Sequence, residues 1–162
     1  MSEPVSVDNI LTEEFLRKVA GFEGFYSRPY LCPAGVLTIG YGHTRNVKKT
    51  DRVTSSQALD LLYEDLMSCY YDLKKVYDMS LWTVGMKQCF IDFVFNCGIG
   101  TLKKSSMHPY LLGFSKLEPV LCGHSLRIVA DILKKYVYAG HKRLFGLVDR
   151  RNYEVSLLNI PL

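Results

Sequence analysis

The sequence predicts an α+β fold dominated by helix, with a small hairpin-bearing lobe and a helical lobe joined by one long helix. Two short β-type runs, Tyr30 to Cys32 and Val36 to Tyr41, flank the turn residues Pro33, Ala34 and Gly35. From Thr54 onward apolar residues recur at three- and four-residue steps instead. No repeat, low-complexity tract or flexible linker interrupts the 162 residues, a length suited to one domain. A β-bearing lobe against a helical one implies a cleft, the usual place for a substrate.

Residues 1 to 11 read as a loose lead-in. Thr12 is a good N-cap, Glu13 and Glu14 suit the positive end of a helix, and Phe15, Leu16, Val19, Ala20 and Phe22 follow at helical spacing. A first helix over roughly 13 to 23 results, closed by Gly24, with Glu23 in its last turn. The hairpin comes next. Thr54 to Gln57 then has the capping-box form, and Leu59, Leu62, Leu66, Cys69, Leu73 and Val76 carry a helix over 55 to 77, about 35 Å long. Further helices are expected at about 83 to 96, 106 to 114, 125 to 137 and 147 to 158, with turns at Cys97 to Gly100 and at Ala139-Gly140. The whole chain is thus expected to be one domain: a small lobe over about 12 to 55, a connecting helix over about 55 to 78 and a helical lobe over about 80 to 160.

Hydrophobic residues at 48% and charged residues at 22% exclude a disordered chain. The excess of 20 Lys and Arg over 16 Asp and Glu favours an anionic polymer, without choosing among nucleic acid, cell wall and membrane surface. Five cysteines, Cys32, Cys69, Cys89, Cys97 and Cys122, are odd in number and form no C-x-x-C pair or zinc-spaced cluster, so reduced thiols are expected and no metal site. Cys69 and Cys89 fall at apolar helix positions and read as buried. The N-terminus lacks a basic region followed by a continuous apolar one, and no stretch approaches the ~20 apolar residues of a membrane span. These features predict a protein held in the cytoplasm until something releases it, with no stable membrane insertion.

Glu23 is the residue whose position is chemically unusual. A carboxylate is unfavourable at the negative end of a helix, and its neighbours Phe22 and Phe25 are apolar, so both effects are expected to raise its pKa. A carboxyl held protonated near neutral pH is what protonating a glycosidic oxygen requires.

Glu23-Gly24, then Cys32 after eight residues, then Thr38 after five more, opening Thr38-Ile39-Gly40-Tyr41-Gly42-His43-Thr44, resembles the signature of phage-type lysozymes, glycoside hydrolase family 24. In that family the middle slot is more often Asp and in some members Cys. Phe93-Val94-Phe95-Asn96-Cys97-Gly98 is similar to the family's Phe-Asn-x-Gly segment. Gly146-Leu147-Val148-Asp149-Arg150-Arg151 with Glu154 resembles its closing run. The resemblance implies a lysozyme-like fold and hydrolysis of the β-1,4 bond between N-acetylmuramic acid and N-acetylglucosamine. Its partner would be the glycan strands of bacterial peptidoglycan, with no nucleic acid and no cofactor, and the protein a monomer. By the same resemblance Glu23 would be the general acid, Cys32 would activate or hold water and Thr38 would position it. Arg150, or Arg151 in its place, would support Glu23, and Tyr41 and Gly42 would bind substrate.

Cys32 needs an argument of its own. A free thiol is only about 3% ionised at pH 7, so Cys32 is a weak base unless its pKa is depressed; Arg28 is close enough in sequence to do so. A thiolate is also a good nucleophile, which leaves a covalent route open beside water activation. His43 is expected to hydrogen-bond within the small lobe, and Trp82, Tyr110 and Phe114 read as core before sugar-stacking residues. The alternatives are a lytic transglycosylase on the same fold, a binding module with weakened catalysis, and a thiol peptidase built on Cys32 and His43. A phage endolysin and a bacterial effector would fit the same sequence.

Overall fold

A computed structural model describes residues 6–116 and 119–160, without the side chains of residues 115 and 119–122. The chain forms two compact units, Met1–Ser68 and Cys69–Leu162. The fold is mostly helical with small antiparallel hairpins, the class expected.

The first unit begins with α1 (Val7–Ile10), in the segment read as a loose lead-in. Ile10 and Leu11 are buried, which ties residues 6–11 down; the expectation for residues 1–5 lies outside the described residues. The second helix, α2 (Glu13–Glu23), starts where Thr12 caps it, the hydroxyl accepting from the Phe15 N–H at 3.3 Å. It buries Phe15, Val19 and Ala20, and each fully buried side chain of this size contributes about 1.5–3 kcal/mol. The helix ends at Gly24, whose φ of +75° is a conformation that other residues rarely adopt. Strand β1 (Tyr26–Leu31) follows at once and pairs antiparallel with β2 (Leu37–Gly40).

The first part of α3 (Ser55–Val76) completes this unit. The capping box forms as its sequence demands: the Thr54 N–H donates to Gln57 Oε1 at 2.9 Å and the Gln57 N–H to Thr54 Oγ1 at 3.2 Å. The hairpin lies close against α3. Gly40, at φ +65°, sits where an added Cβ would stand 3.0 Å from the Ala58 Cβ.

In the second unit α4 (Val84–Cys97) is buried on nearly every side from Met86 to Val94 and ends at Gly98. The segment Cys97 to Gly100, expected as a turn, contains only one turn residue, because α5 (Ile99–Lys104) starts directly after Gly98. Helix α6 (His108–Gly113) follows, and then α7 (Pro119–Leu133), which begins earlier and ends earlier than expected. Ala139-Gly140 is not merely a turn. Ala139 closes β3 (Tyr138–Ala139), and Gly140 with His141 turns the chain into β4 (Lys142–Arg143), a second hairpin of two-residue strands that propensity alone did not reveal. The last helix, α8 (Phe145–Leu157), packs so tightly on α4 that a Cβ at Gly85 would fall on the Leu157 carbonyl oxygen. Trp82 and Phe114 are core residues here, as expected, and Tyr110 is half-buried.

Gly85→Ala is therefore expected to destabilise the protein by about 1–3 kcal/mol, the usual cost of overpacking, measurable as a lower urea midpoint with an unchanged m-value.

Candidate functional site

Glu23 is the last residue of α2, half-buried, with no basic residue in that turn. The Gly24 N–H returns to the Ala20 carbonyl at 3.0 Å, which closes the helix and sends the chain straight into β1. Glu23 and the hairpin are thus separated by two residues of backbone.

The hairpin loop is built around Cys32. Its N–H donates to the Val36 carbonyl at 3.0 Å, and the Gly35 N–H donates to the Cys32 carbonyl at 2.8 Å. Pro33 supplies the φ that the turn needs and Gly35 the positive φ, +75°, that ends it. This geometry turns the backbone N–H groups of Val36 and Ala34 toward the sulfur. They hold the Cys32 thiol below its ordinary pKa, against a smaller opposing effect of desolvation, with further help from the Thr38 hydroxyl and the Cys32 N–H. Arg28 is not among the groups that lower it. Thr38 is buried on β2 and its Oγ1 lies 3.0 Å from the Val36 carbonyl oxygen. That hydroxyl has one hydrogen, so it serves either the carbonyl or the sulfur at any instant.

Tyr30 joins this group, although nothing in its residue type singled it out. It is the cross-strand partner of Thr38, and it lies two positions before Cys32, so alternation puts all three on one side of the hairpin. Burial raises the Tyr30 pKa, and the charges of Tyr26, Glu23 and Cys32 raise it further. Glu23 and Cys32 thus both act on the Tyr30 phenol. Strand parity relative to Thr38 is the signal that finds Tyr30 from sequence.

Tyr41 makes its aromatic contact with Phe25, at 5.5 Å between ring centroids, and Gly42 takes φ +87°. His43 is buried with both ring nitrogens engaged, Nδ1 with Asp65 Oδ2 at 2.8 Å and Nε2 with the Arg45 carbonyl at 2.9 Å. This is the small-lobe hydrogen bonding expected of it. It leaves no ring nitrogen to activate Cys32 as a peptidase would require.

The two arginines of the closing run lie in the second unit, within α8. Arg150 makes a fork with Asp92, Nη2 to Oδ1 at 2.7 Å and Nε to Oδ2 at 3.0 Å, both residues buried. Arg151 reaches Glu154 at 2.7 Å, Asn96 at 2.9 Å and the Cys97 sulfur at 3.2 Å, and stands over the Phe93 ring. Burial pushes the Glu154 carboxyl well up, Asp92 adds to this, and Arg151 opposes it. The one acidic residue in the apolar run of α4 was the signal for Asp92. Beside this cluster Asn96, Cys97, Tyr136, Tyr138, Ala139, Leu144 and Leu147 line a cavity of about 310 Å³.

Cys32, Cys69, Cys89 and Cys97 are all free; Cys89 is fully buried, as expected, whereas Cys69 is only half-buried. The expectation for Cys122 lies outside the described side chains. Among the described residues no group of His, Cys, Asp and Glu is arranged to hold a metal, and no helix is long and apolar enough to cross a membrane.

Residues 20–154 match the family model described as Phage lysozyme. The chain belongs to the phage lysozyme family. The chain is 31% identical over 150 residues to an endolysin of Acyrthosiphon pisum secondary endosymbiont phage 1, covering 91% of the chain and 96% of that protein. It is 27% identical over 135 residues to a SAR-endolysin of Bacteriophage PS119, covering 83% and 74%. Among solved structures, the muramidase domain of SpmX from Asticaccaulis excentricus superposes with a TM-score of 0.76 at 22% identity, over 93% of this chain and 98% of that one. The active form of P1 phage endolysin Lyz gives 0.74 at 21%, over 92% and 84%. The lysozyme-like fold that the motifs implied is the fold of this chain.

Removing one member of the Asp92–Arg150 fork leaves a buried charge without its partner. Asp92→Ala is expected to cost about 3–5 kcal/mol of stability, read from chemical denaturation, with the same change at exposed Asp72 costing less than about 1 kcal/mol.

Proposed function

We propose that the chain is a muramidase that hydrolyses the β-1,4 bond between N-acetylmuramic acid and N-acetylglucosamine in peptidoglycan, with Glu23 as general acid and Cys32 as the base that activates water. Membership in the phage lysozyme family supports the polymer, and the endolysins among its relatives support cell-wall lysis as the outcome. The observation that carries the chemistry is the loop around Cys32, where the Val36 and Ala34 N–H groups and the Thr38 hydroxyl favour the thiolate.

Glu23 gives its proton to the glycosidic oxygen as the C1–O bond breaks. Cys32 takes a proton from a water that Thr38 holds, and the water oxygen forms its bond to C1 from the face opposite the leaving group. Cys32 leaves this step as a thiol and Glu23 as a carboxylate, and exchange with solvent restores both. Arg150 and Arg151 are held by Asp92 and Glu154 within the second unit, and the support of Glu23 proposed for Arg150 rests on the family resemblance alone. Tyr41 and Gly42, at the end of the hairpin, are proposed to contact the glycan. The protein acts after release or delivery to the wall and needs no cofactor.

The decisive measurement is the pH dependence of kcat/KM on purified peptidoglycan, for wild type beside Cys32→Asp. Thiolate is the active form, so wild-type activity is expected to rise with pH through a thiol pKa lowered from its ordinary value. The aspartate variant carries a carboxyl, which ionises in the acid range where a thiol does not. Its rise is expected in the acid range, and its activity near neutral pH should equal or exceed that of wild type. Superimposable profiles exclude Cys32 as the base. Alkylation of wild type is expected to abolish activity and Cys32→Asp to resist it; full activity after alkylation of Cys32 also removes that assignment. New reducing ends are the expected product, and an anhydro-muramic end in their place identifies a transglycosylase.

A further inference from the structure

The rings of Tyr26 and Tyr30 lie 4.2 Å apart at centroid, tilted by 36°. Nothing in a regular strand brings them together. Four residues of extended chain span about 13 Å, which is far beyond ring contact. The ladder between the pairs Tyr26↔Gly40 and Tyr30↔Thr38 advances four positions on β1 and two on β2, so the surplus bulges out of β1. Pro29, which has no N–H to give to a ladder, falls in that bulge. Bulges re-aim side chains, and they recur beside functional sites for that reason. Here the bulge folds the strand so that the tyrosine rings overlap.

The placement of this pair is equally specific. Tyr30 shares a side of the hairpin with Cys32 and Thr38, and Tyr26 is three residues beyond Glu23. Tyr26 is 48% exposed, so its ring is held in the open against Tyr30 and is not folded into the core. The neighbouring aromatic pair, Phe25 with Tyr41, forms separately. Burial and the surrounding negative groups favour the protonated Tyr30 phenol, so its ring presents no charge that Glu23 or Cys32 would repel.

We propose that Tyr26 and Tyr30 form a stacked aromatic platform that receives the apolar face of one pyranose ring of the glycan strand, next to Cys32 and Thr38. A pyranose presents C–H groups on one face, and their slight positive charge suits the negative face of an aromatic ring. The hydroxyls of the sugar remain at its rim for polar partners. An exposed tyrosine supported from behind by another loses little freedom when a sugar lands on it, because the pair is already ordered. The platform rests on the muramidase reading, since a glycan must come to Cys32 for it to serve.

Binding of tetra-N-acetylchitotetraose, followed by calorimetry in the Glu23→Gln background so that the ligand stays uncut, tests the platform. Thermal midpoints are recorded for every variant. Tyr26→Ala is expected to weaken binding roughly tenfold at an unchanged midpoint. Tyr30→Phe keeps the ring and is expected to bind within about twofold of its parent. Should Tyr26→Ala lower the midpoint, Tyr26→Leu preserves apolar bulk without a ring face and is expected to show the same loss. Equal affinity of the Tyr26 variants and their parent overturns the platform. So does a Tyr30→Phe loss as large as that of Tyr26→Ala, because the hydroxyl and not the ring would then hold the sugar. Wild type that neither cleaves peptidoglycan nor binds the oligosaccharide brings down the muramidase reading as well. Wild type that cleaves, while Tyr26→Ala loses no affinity, brings down the platform alone.

Discussion

The first unit depends on how a two-stranded hairpin is held in place, because such a hairpin is marginally stable by itself. Its anchor is the contact of Gly40 with Ala58. With no side chain at Gly40 the end of β2 comes down onto α3, and a methyl group there would push the two apart. Three further ties act on the same joint. The Val53 N–H reaches the Ser27 carbonyl at 3.1 Å, Ile39 and His43 exchange backbone hydrogen bonds of 2.9 Å, and His43 bonds Asp65 on α3. Arg45 adds a second hydrogen bond to Asp65 at 2.9 Å, so one carboxylate secures two points of the segment after β2. With β2 immobile, the register Tyr30↔Thr38 is set, and with it the distance of Cys32 from Thr38.

The protein treats its ionisable groups in two different ways. Cys32 is near solvent on a loop, and its charged form is favoured by backbone dipoles first of all, with no cation among the causes. In the second unit Asp92, Arg150, Arg151 and Glu154 are buried, and only mutual pairing makes their charges tolerable. Arg151 Nε and Glu154 Oε2 still have no hydrogen-bond partner, so the buried cluster is not fully satisfied. A loop of N–H groups adjusts one pKa locally, whereas a buried cluster determines which helices pack together. The first serves chemistry and the second serves architecture, since Asp92 on α4 and Arg150 on α8 join two helices already in close contact through Gly85.

Local signals carried most of the helices. Thr12, Gly24 and Thr54 act as caps at the positions their residue types indicate, so α2 and the start of α3 follow from sequence within a residue. The misplacements have local causes too. Gly98 was read as part of a turn, although one glycine ends α4 and begins α5; the β3–β4 hairpin has strands too short for periodicity to register. Within the candidate site, Glu23, Cys32 and Thr38 are legible from spacing and resemblance, and Tyr30 from strand parity, but the contact of Tyr30 with Tyr26 is not. Their meeting depends on a bulge, and a bulge shifts register without leaving a periodic trace.

What the sequence determined alone is where α2, the first hairpin and the start of α3 lie, that Gly24 closes α2, and that Glu23 stands at its end. Those outcomes depend on neighbours within a few positions, through caps, turn residues and side-chain period. Only the tertiary structure decided what surrounds Cys32. Its environment comes from the loop that Pro33 and Gly35 shape, from Thr38 across the ladder, and from Tyr30 on the same side. Arg28, a sequence neighbour, is not among the groups that act on the thiol. A pKa answers to groups close in space and to the direction in which their dipoles point, and neither is written in the order of residues.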